Sequence, residues 1–112
     1  MESAAWVSVR CVFRSVHQGE QVYEERVTLW RTGSFEVAVA RAEAEAEAYA
    51  VDLSGPGSTT EYLGFAQAYL LADEPAAGAE VFSLMRSSDL EPEAYLDTFF
   101  DTGSERQGGL GR

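Results

Sequence analysis

Few side chains in this sequence combine the types and spacing that acid–base, nucleophilic or metal chemistry requires. The chain holds one cysteine, Cys11, and one histidine, His17. One of each cannot complete a common zinc site, and no pattern around them supports a catalytic cysteine–histidine pair. Cys11 alternates with valines, which indicates a core position, and His17 lies in a polar stretch typical of a turn. We therefore expect neither a metal site nor a cofactor.

Glu25 is the carboxylate that the sequence places on the core side of a strand, between Tyr23 and Val27. A carboxylate in that position must pair, reach an edge or shift its pKa, and groups of this kind concentrate at functional sites. An ion pair with an arginine, or a bulge that turns the side chain outward, explains such a residue more simply than catalysis does. We predict Glu25 to be a buried polar residue, assign no catalytic residue, and favour a protein that is not an enzyme.

Two strands at the start of the chain must position these side chains. Residues Ala5–Val16 alternate apolar and polar side chains with a period of two, and Val22–Arg31 is rich in β-branched and aromatic residues. Both patterns are typical of strands. The polar break between them contains Gly19, as a tight turn requires. The sequence therefore predicts an antiparallel hairpin.

A helix is predicted from Phe35 to about Val51, capped by Ser34, because its alternating alanines and glutamates are strong helix formers and poor strand formers. The second half predicts a third strand over Glu61–Ala72 and a fourth over Glu80–Arg86. A short helix containing Pro92 should follow, since proline is favoured at the first helical position.

These elements follow the order ββα-ββα and predict an α+β fold. We expect a four-stranded, mainly antiparallel sheet with two helices packed on one face. The predicted domain spans residues 1–102, and the glycine-rich residues 103–112 have little to bury and predict a disordered C-terminal tail.

The charge of the chain limits its partners. Nineteen acidic residues against eight arginines give a net charge of −11, which disfavours nucleic acid and anionic membranes because both repel a polyanion. No apolar run approaches the roughly 20 residues of a membrane span. A single cysteine cannot form an internal disulfide, so we expect a cytoplasmic protein.

The first hairpin combines aromatic residues with cations. If Val7, Val9 and Cys11 point at the helices together with Tyr23 and Val27, the open face of the sheet carries two tryptophans and three arginines. These candidate binding residues are Trp6, Arg10, Arg14, Arg26 and Trp30. Tryptophan and arginine are enriched at binding hot spots. Three interpretations stay open: edge capping of the core with solubilising arginines, a self-complementary dimer face, and a site for another protein or a small anionic ligand.

Several short segments of the sequence together resemble a known family. They are Val7–Arg10, Val12–Ser15, Tyr23–Leu29, Glu47–Ala50, Glu61–Phe65 and Glu80–Ser83. In this order they are similar to a small bacterial family catalogued as domain of unknown function 4288, over nearly the whole chain up to about residue 103. The resemblance implies a stand-alone cytoplasmic bacterial protein with the ββα-ββα plan. It brings no activity, cofactor or site residues.

Two functional hypotheses follow. The first is a non-enzymatic protein-binding or accessory domain that acts through its open sheet face or its acidic helical face, as a homodimer or with a protein partner. A specific version is an inhibitor or immunity-type protein whose acidic surface covers a basic enzyme such as a nuclease. The alternative is a small-ligand sensor or enzyme with a cleft around Glu25 and nearby arginines.

Overall fold

A computed structural model describes residues 4–108 of the chain and contains three strands and two helices. In chain order these are β1 (Ala5–His17), β2 (Glu20–Thr32), α1 (Phe35–Leu53), β3 (Ser58–Leu70) and α2 (Pro92–Phe99). The α+β class is confirmed. The element order within the described residues is ββαβα.

The sheet is antiparallel throughout and has the order β2-β1-β3, with β1 in the centre. The predicted hairpin of β1 and β2 is present. Its two-residue turn consists of Gln18, with φ 50°, and Gly19, with φ 79°. Left-handed values at both positions are those of a type I′ turn, whose twist matches that of the flanking strands. This turn fixes the register in which Val7 lies opposite Trp30.

The predicted four-stranded sheet is wrong, because Glu80–Arg86 does not form a strand. A short run becomes a strand only beside an available sheet edge. Here the Phe82 ring lies 5.9 Å from the Tyr69 ring and 4.9 Å from the Arg10 guanidinium carbon. Tyr69 belongs to the edge strand β3 and Arg10 to the central strand β1, and the two side chains lie on the same face of the sheet. The segment therefore packs on that face through Phe82 and does not pair with the edge of β3.

Helix α1 forms as predicted and covers the sheet with small side chains. Ser34 caps it, since the Ser34 hydroxyl accepts a hydrogen bond from the Val37 backbone N–H at 3.1 Å. The residues that α1 buries are all alanines, spaced four apart: Ala38, Ala42, Ala46 and Ala50. Alanine lets the helix axis approach the sheet closely. The core therefore consists of this stripe and of the β1 residues Val7, Val9, Cys11 and Phe13.

Helix α2 begins at Pro92 as predicted but is not packed on the sheet. Within residues 4–108 it contacts none of the other helices or strands, and it buries no residue. The prediction of two helices on one face is therefore corrected to one. The radius of gyration is 16.3 Å, compared with about 13 Å expected for a compact chain of this size. An α2 that is not packed on the other elements is consistent with this larger value.

Strand β3 and the C-terminal residues both depart from regular secondary structure. Strand β3 bulges opposite Val12, where Gly64 has φ 78° and the pairing register shifts. Residues 103–108 are exposed and form no helix or strand, while the remaining predicted tail residues, 109–112, lie outside the described part of the chain. Neither described helix is long and apolar enough to cross a membrane.

The alanine stripe of α1 makes a prediction about stability. Ala46→Leu inserts three carbon atoms where α1 meets β1, and overpacking of this kind costs about 1–3 kcal/mol. We expect the free energy of unfolding, measured by urea denaturation, to fall by that amount. Ala44→Leu is the matched control because Ala44 is exposed on the same helix. Equal stability of the two variants would contradict the close packing of α1 on the sheet.

Candidate functional site

The sheet has two faces, and the register decides which side chains share each one. Residues directly opposite in neighbouring strands point to the same side. We call the side that carries Val9 and Phe13, against α1, the inner face, and the other side the outer face. Val9 lies opposite Thr28 and Phe13 lies opposite Glu24. Odd-numbered residues of β1 therefore share the inner face with even-numbered residues of β2.

The five predicted binding residues are divided between the two faces. Trp6, Arg10 and Arg14 are on the outer face, as expected. Arg26 lies opposite Cys11 and Trp30 lies opposite Val7, so both are on the inner face beside α1. The expectation that all five share the open face is thus corrected. Its physical cause is the two-residue turn, which pairs odd with even positions.

Arg26 belongs to a polar cluster between β2 and α1. Its guanidinium donates two hydrogen bonds to the Glu45 carboxylate, at 2.6 and 3.0 Å, and lies 3.8 Å from the centre of the Tyr49 ring. The Tyr49 hydroxyl donates to Glu24 at 2.8 Å. The hydrogen bonds to Glu45 raise the pKa of Arg26 above its ordinary value. The cluster attaches the β2 side of the sheet to the helix.

Trp30 is also used inside the fold. It packs against the core, its indole N–H donates to the Thr28 hydroxyl at 2.8 Å, and the Arg41 guanidinium lies 5.4 Å from its ring. Tryptophan needs a partner for its indole N–H when it is half-buried, and Thr28 supplies it. Trp30 is therefore a structural residue at the edge of the core.

Beneath α1, the buried Cys11 contacts the half-buried Tyr62. Burial raises the pKa of the Cys11 thiol above its ordinary value. Burial, and the hydrogen bond that the Tyr62 hydroxyl donates to Glu43 at 2.5 Å, raise the pKa of Tyr62 strongly. Both groups stay protonated in the folded protein at neutral pH. Cys11 is buried, so it lacks the exposure and the thiolate that a nucleophile needs.

Glu25 lies on the outer face and is exposed rather than buried, with 64 % of its side chain accessible. It accepts a hydrogen bond from Arg10 at 3.1 Å. The Arg10 guanidinium also donates to the Gln67 side-chain carbonyl. The ion pair with an arginine, one of the simpler explanations given by the sequence, is present. The inner position predicted for Glu25 is corrected by the same pairing register.

Strand β2 carries three of its five large apolar side chains on the outer face, whereas Val22 and Trp30 lie on the inner face. Tyr23, Val27 and Leu29 alternate with Glu24, Arg26 and Thr28. The three apolar residues are 58 %, 43 % and 39 % exposed, respectively. Across the sheet, Leu63 and Phe65 flank the bulge of β3 and are exposed to a similar degree. An ordinary two-layer fold buries the apolar side of each strand, so the polarity of β2 is inverted.

The outer face also carries cations among these apolar groups. Arg14 pairs with Glu61, at 2.5 Å between Nη2 and Oε2. Trp6 is half-buried opposite Arg31. Arg31 is exposed and forms no ion pair with any residue in the described range 4–108. We define the candidate site as this outer face, comprising Trp6, Arg10, Arg14, Tyr23, Val27, Leu29, Arg31, Leu63 and Phe65.

The cleft that contains Glu25 lacks the predicted arginines. It has a volume of about 1080 Å³ at the hairpin end of the molecule, and its acidic lining residues are Glu20, Glu24, Glu25 and Glu105. Arg10, Arg14 and Arg26 are not part of its lining, and Arg106 is the arginine that is. No group of three histidine, cysteine or carboxylate side chains in the described chain is arranged to hold a metal ion.

Comparison with protein-family models, with curated proteins and with solved structures found no match to this chain. The resemblance to domain of unknown function 4288 therefore stays a prediction. Functional inference depends on the geometry of the outer face.

The protonated Cys11–Tyr62 pair makes stability depend on pH. Unfolding exposes both groups, which then ionise near their ordinary pKa values of 9.0 and 10.0. Folding keeps them protonated, so their contribution is complete below about pH 9 and decreases as the pH rises. We expect the free energy of unfolding to fall by about 1 kcal/mol per pH unit above pH 9.

Urea denaturation at pH 8 and pH 10.5 measures this fall. The double variant Cys11→Ala/Tyr62→Phe should show a shallower pH dependence, whatever its absolute stability. Tyr23→Phe is the matched control because it removes an exposed phenol from the outer face. An identical pH dependence in the double variant and the wild type would show that the Cys11–Tyr62 pair does not titrate on unfolding.

Proposed function

We propose that this chain is a non-enzymatic protein-binding domain that acts through the outer face of its sheet, with a second copy of itself as partner. The inverted polarity of β2 carries the proposal. Tyr23, Val27 and Leu29 face away from the core, while Arg26 and Glu24 face the helix. Exposed apolar side chains do not stabilise a chain that functions alone. Burying them against a partner removes apolar surface from water and so stabilises the complex.

The composition of the outer face supports protein binding. Aromatic residues and arginine are enriched in interface cores, and lysine is depleted. This face combines Trp6, Tyr23 and Phe65 with arginines, and the protein contains no lysine. Arg10 is held in place by Gln67 and Glu25. Phe82 also lies over this guanidinium, and 19 % of the Arg10 side chain is accessible. Arg10 therefore loses little conformational freedom when a partner binds beside it.

The other candidate surface, the acidic side of α1, is less acidic than the sequence suggests. Glu45 is paired with Arg26, and Glu43 accepts a hydrogen bond from Tyr62. Both glutamates are half-buried against the sheet, whereas Glu36, Glu47 and Asp52 of the helix are exposed. Three carboxylates spread along the helix offer little complementarity to a basic enzyme. The outer face is therefore the better supported binding surface.

A cytoplasmic location forms part of the proposal. Cys11 is a free, buried thiol whose pKa is raised by burial, and the fold uses no disulfide among the described residues. Both features suit a reducing compartment.

Substitution of Leu29 tests the proposed interface. Leu29→Asp places a charge in the exposed apolar row next to Val27, where it must be desolvated on association. We expect the wild type to have a dimer mass by light scattering at micromolar concentration. We expect Leu29→Asp to have a monomer mass and an unchanged circular dichroism spectrum.

Val51→Asp is the matched control, since Val51 is 73 % exposed on α1 and the substitution makes a similar loss of apolar surface and the same change of charge. It should stay dimeric. A monomeric wild type, or a Leu29→Asp variant that remains dimeric, would contradict the outer face as the interface.

A further inference from the structure

A second unpartnered apolar surface lies near the C-terminus. We call residues 84–101, which contain α2, the arm. Its large apolar side chains are exposed, and they include Leu84, Leu90, Leu96, Phe99 and Phe100. No residue of α2 is buried, and within the described chain α2 contacts no other helix or strand. The arm is therefore amphipathic without anything covering its apolar side.

The arm nevertheless has an ordered local structure. Tyr95 contacts Phe99 and Phe100, with ring centres 4.8 and 5.8 Å apart. The Arg86 guanidinium lies 4.3 Å from the Phe99 ring and donates a hydrogen bond to the Tyr95 hydroxyl at 3.2 Å. These contacts fold the arm into one aromatic cluster. A cluster formed in advance reduces the entropy lost when the arm docks.

Helix α2 needs a surface to pack on. It has eight residues, and isolated helices shorter than roughly 12–15 residues are marginal in water. Most helical stability in proteins comes from packing of the apolar side. The outer face offers a surface of matching chemistry at Val27, Leu29 and Phe65, which remain exposed although Phe82 covers the neighbouring Tyr69 and Arg10. Helix α2 of the same chain does not contact the strands that carry these residues.

We infer that the arm of one copy docks, through Leu96, Phe99 and Phe100, on the outer face of a second copy, and that the exchange is reciprocal. This inference rests on the proposed function and names the segment that occupies the outer face. Reciprocal exchange is a two-fold symmetric arrangement, which is the commonest way for identical chains to form a closed assembly.

Charge complementarity favours this occupant. The arm carries five acidic residues against one arginine, Arg86; the acids are Asp89, Glu91, Glu93, Asp97 and Asp101. The outer face holds Arg31, which forms no ion pair with residues 4–108, in addition to two arginines in ion pairs. In a chain of net charge −11, this is the surface on which an acidic helix meets attraction rather than repulsion.

The size of the two surfaces is also sufficient. An arm of about 18 residues, together with the outer face that receives the other arm, falls within the roughly 20–30 residues per partner of a standard stable interface. Reciprocal exchange doubles the contact, so each dimer contains two identical arm–sheet contacts. Because each dimer contains two such contacts, the arm can be damaged in one chain and the outer face in the other while one contact stays intact, which allows a direct test of the exchange.

Mixing two full-length variants tests the exchange. Phe99→Asp damages the arm and Leu29→Asp damages the outer face, so neither homodimer retains an intact arm–sheet contact. The mixture can retain one, between the arm of the Leu29→Asp chain and the sheet of the Phe99→Asp chain. We expect each variant alone to be monomeric and the mixture to give a heterodimer by native mass spectrometry, with a dissociation constant at least about tenfold above that of the wild-type dimer.

The arm is separate from the core, so Phe99→Asp leaves the fold intact, and Leu96→Asp is a second variant with the same expected behaviour. The double variant Leu29→Asp/Phe99→Asp mixed with Leu29→Asp is the control for nonspecific pairing, because that mixture retains no intact arm–sheet contact. If Phe99→Asp stays dimeric while Leu29→Asp is monomeric, the arm exchange is overturned and the outer face stands as the interface. If both variants keep the wild-type mass, the outer face is overturned as well. Two monomeric variants that give no heterodimer also contradict the exchange.

Discussion

The structure depends on the register that the two-residue turn imposes on the first hairpin. Gln18 and Gly19 occupy the left-handed conformations of a type I′ turn, so the residue numbers of opposite partners in β1 and β2 differ in parity. Because Val9 and Phe13 lie beneath α1, this register determines which side chains of β2 face the helix and which face outward. Glu24 and Arg26 must face the helix, and the row of Tyr23, Val27 and Leu29 must face outward. A slip of one residue would exchange the two sets.

That register explains why the interior combines a narrow apolar core with polar attachments. On the β1 side the core consists of alanines against valine, cysteine and phenylalanine. On the β2 side the same helix is held by Arg26 with Glu45 and by Tyr49 with Glu24. These contacts are half-exposed and each contributes modestly in water. These polar contacts attach β2 to the helix. The apolar side chains on the outer face of β2 are therefore not needed to hold the strand in place and can remain exposed.

The local elements of the fold could be predicted from the sequence, but their assembly could not. Ser34 and Pro92 mark helix starts through hydrogen bonding and a fixed φ, both of which act within one turn of chain. Hydrophobicity alone predicts that Tyr23 and Val27 point inward, with Glu25 between them. The length of the turn indicates the opposite orientation of β2, because a two-residue loop pairs odd-numbered residues of β1 with even-numbered residues of β2. Three of the predicted binding residues, Trp6, Arg10 and Arg14, were placed correctly because they belong to β1. The segment Glu80–Arg86 packs on a face of the sheet through Phe82 and does not pair with an edge, and no local pattern reports which of the two a segment will do.

The acidic character of the chain gives the outer face its importance. Two copies of net charge −11 repel each other unless they meet where arginines balance carboxylates, because an acidic surface that is buried against another cannot be screened by solvent ions. On the outer face Arg10 and Arg14 neutralise Glu25 and Glu61. Arg31 then leaves a positive balance beside an exposed apolar row. An amphipathic arm that is acidic on one side and aromatic on the other complements both the positive charge and the exposed apolar row of the outer face. The inverted strand and the unpacked helix, which are each anomalous in a single chain, are therefore consistent with each other in a pair.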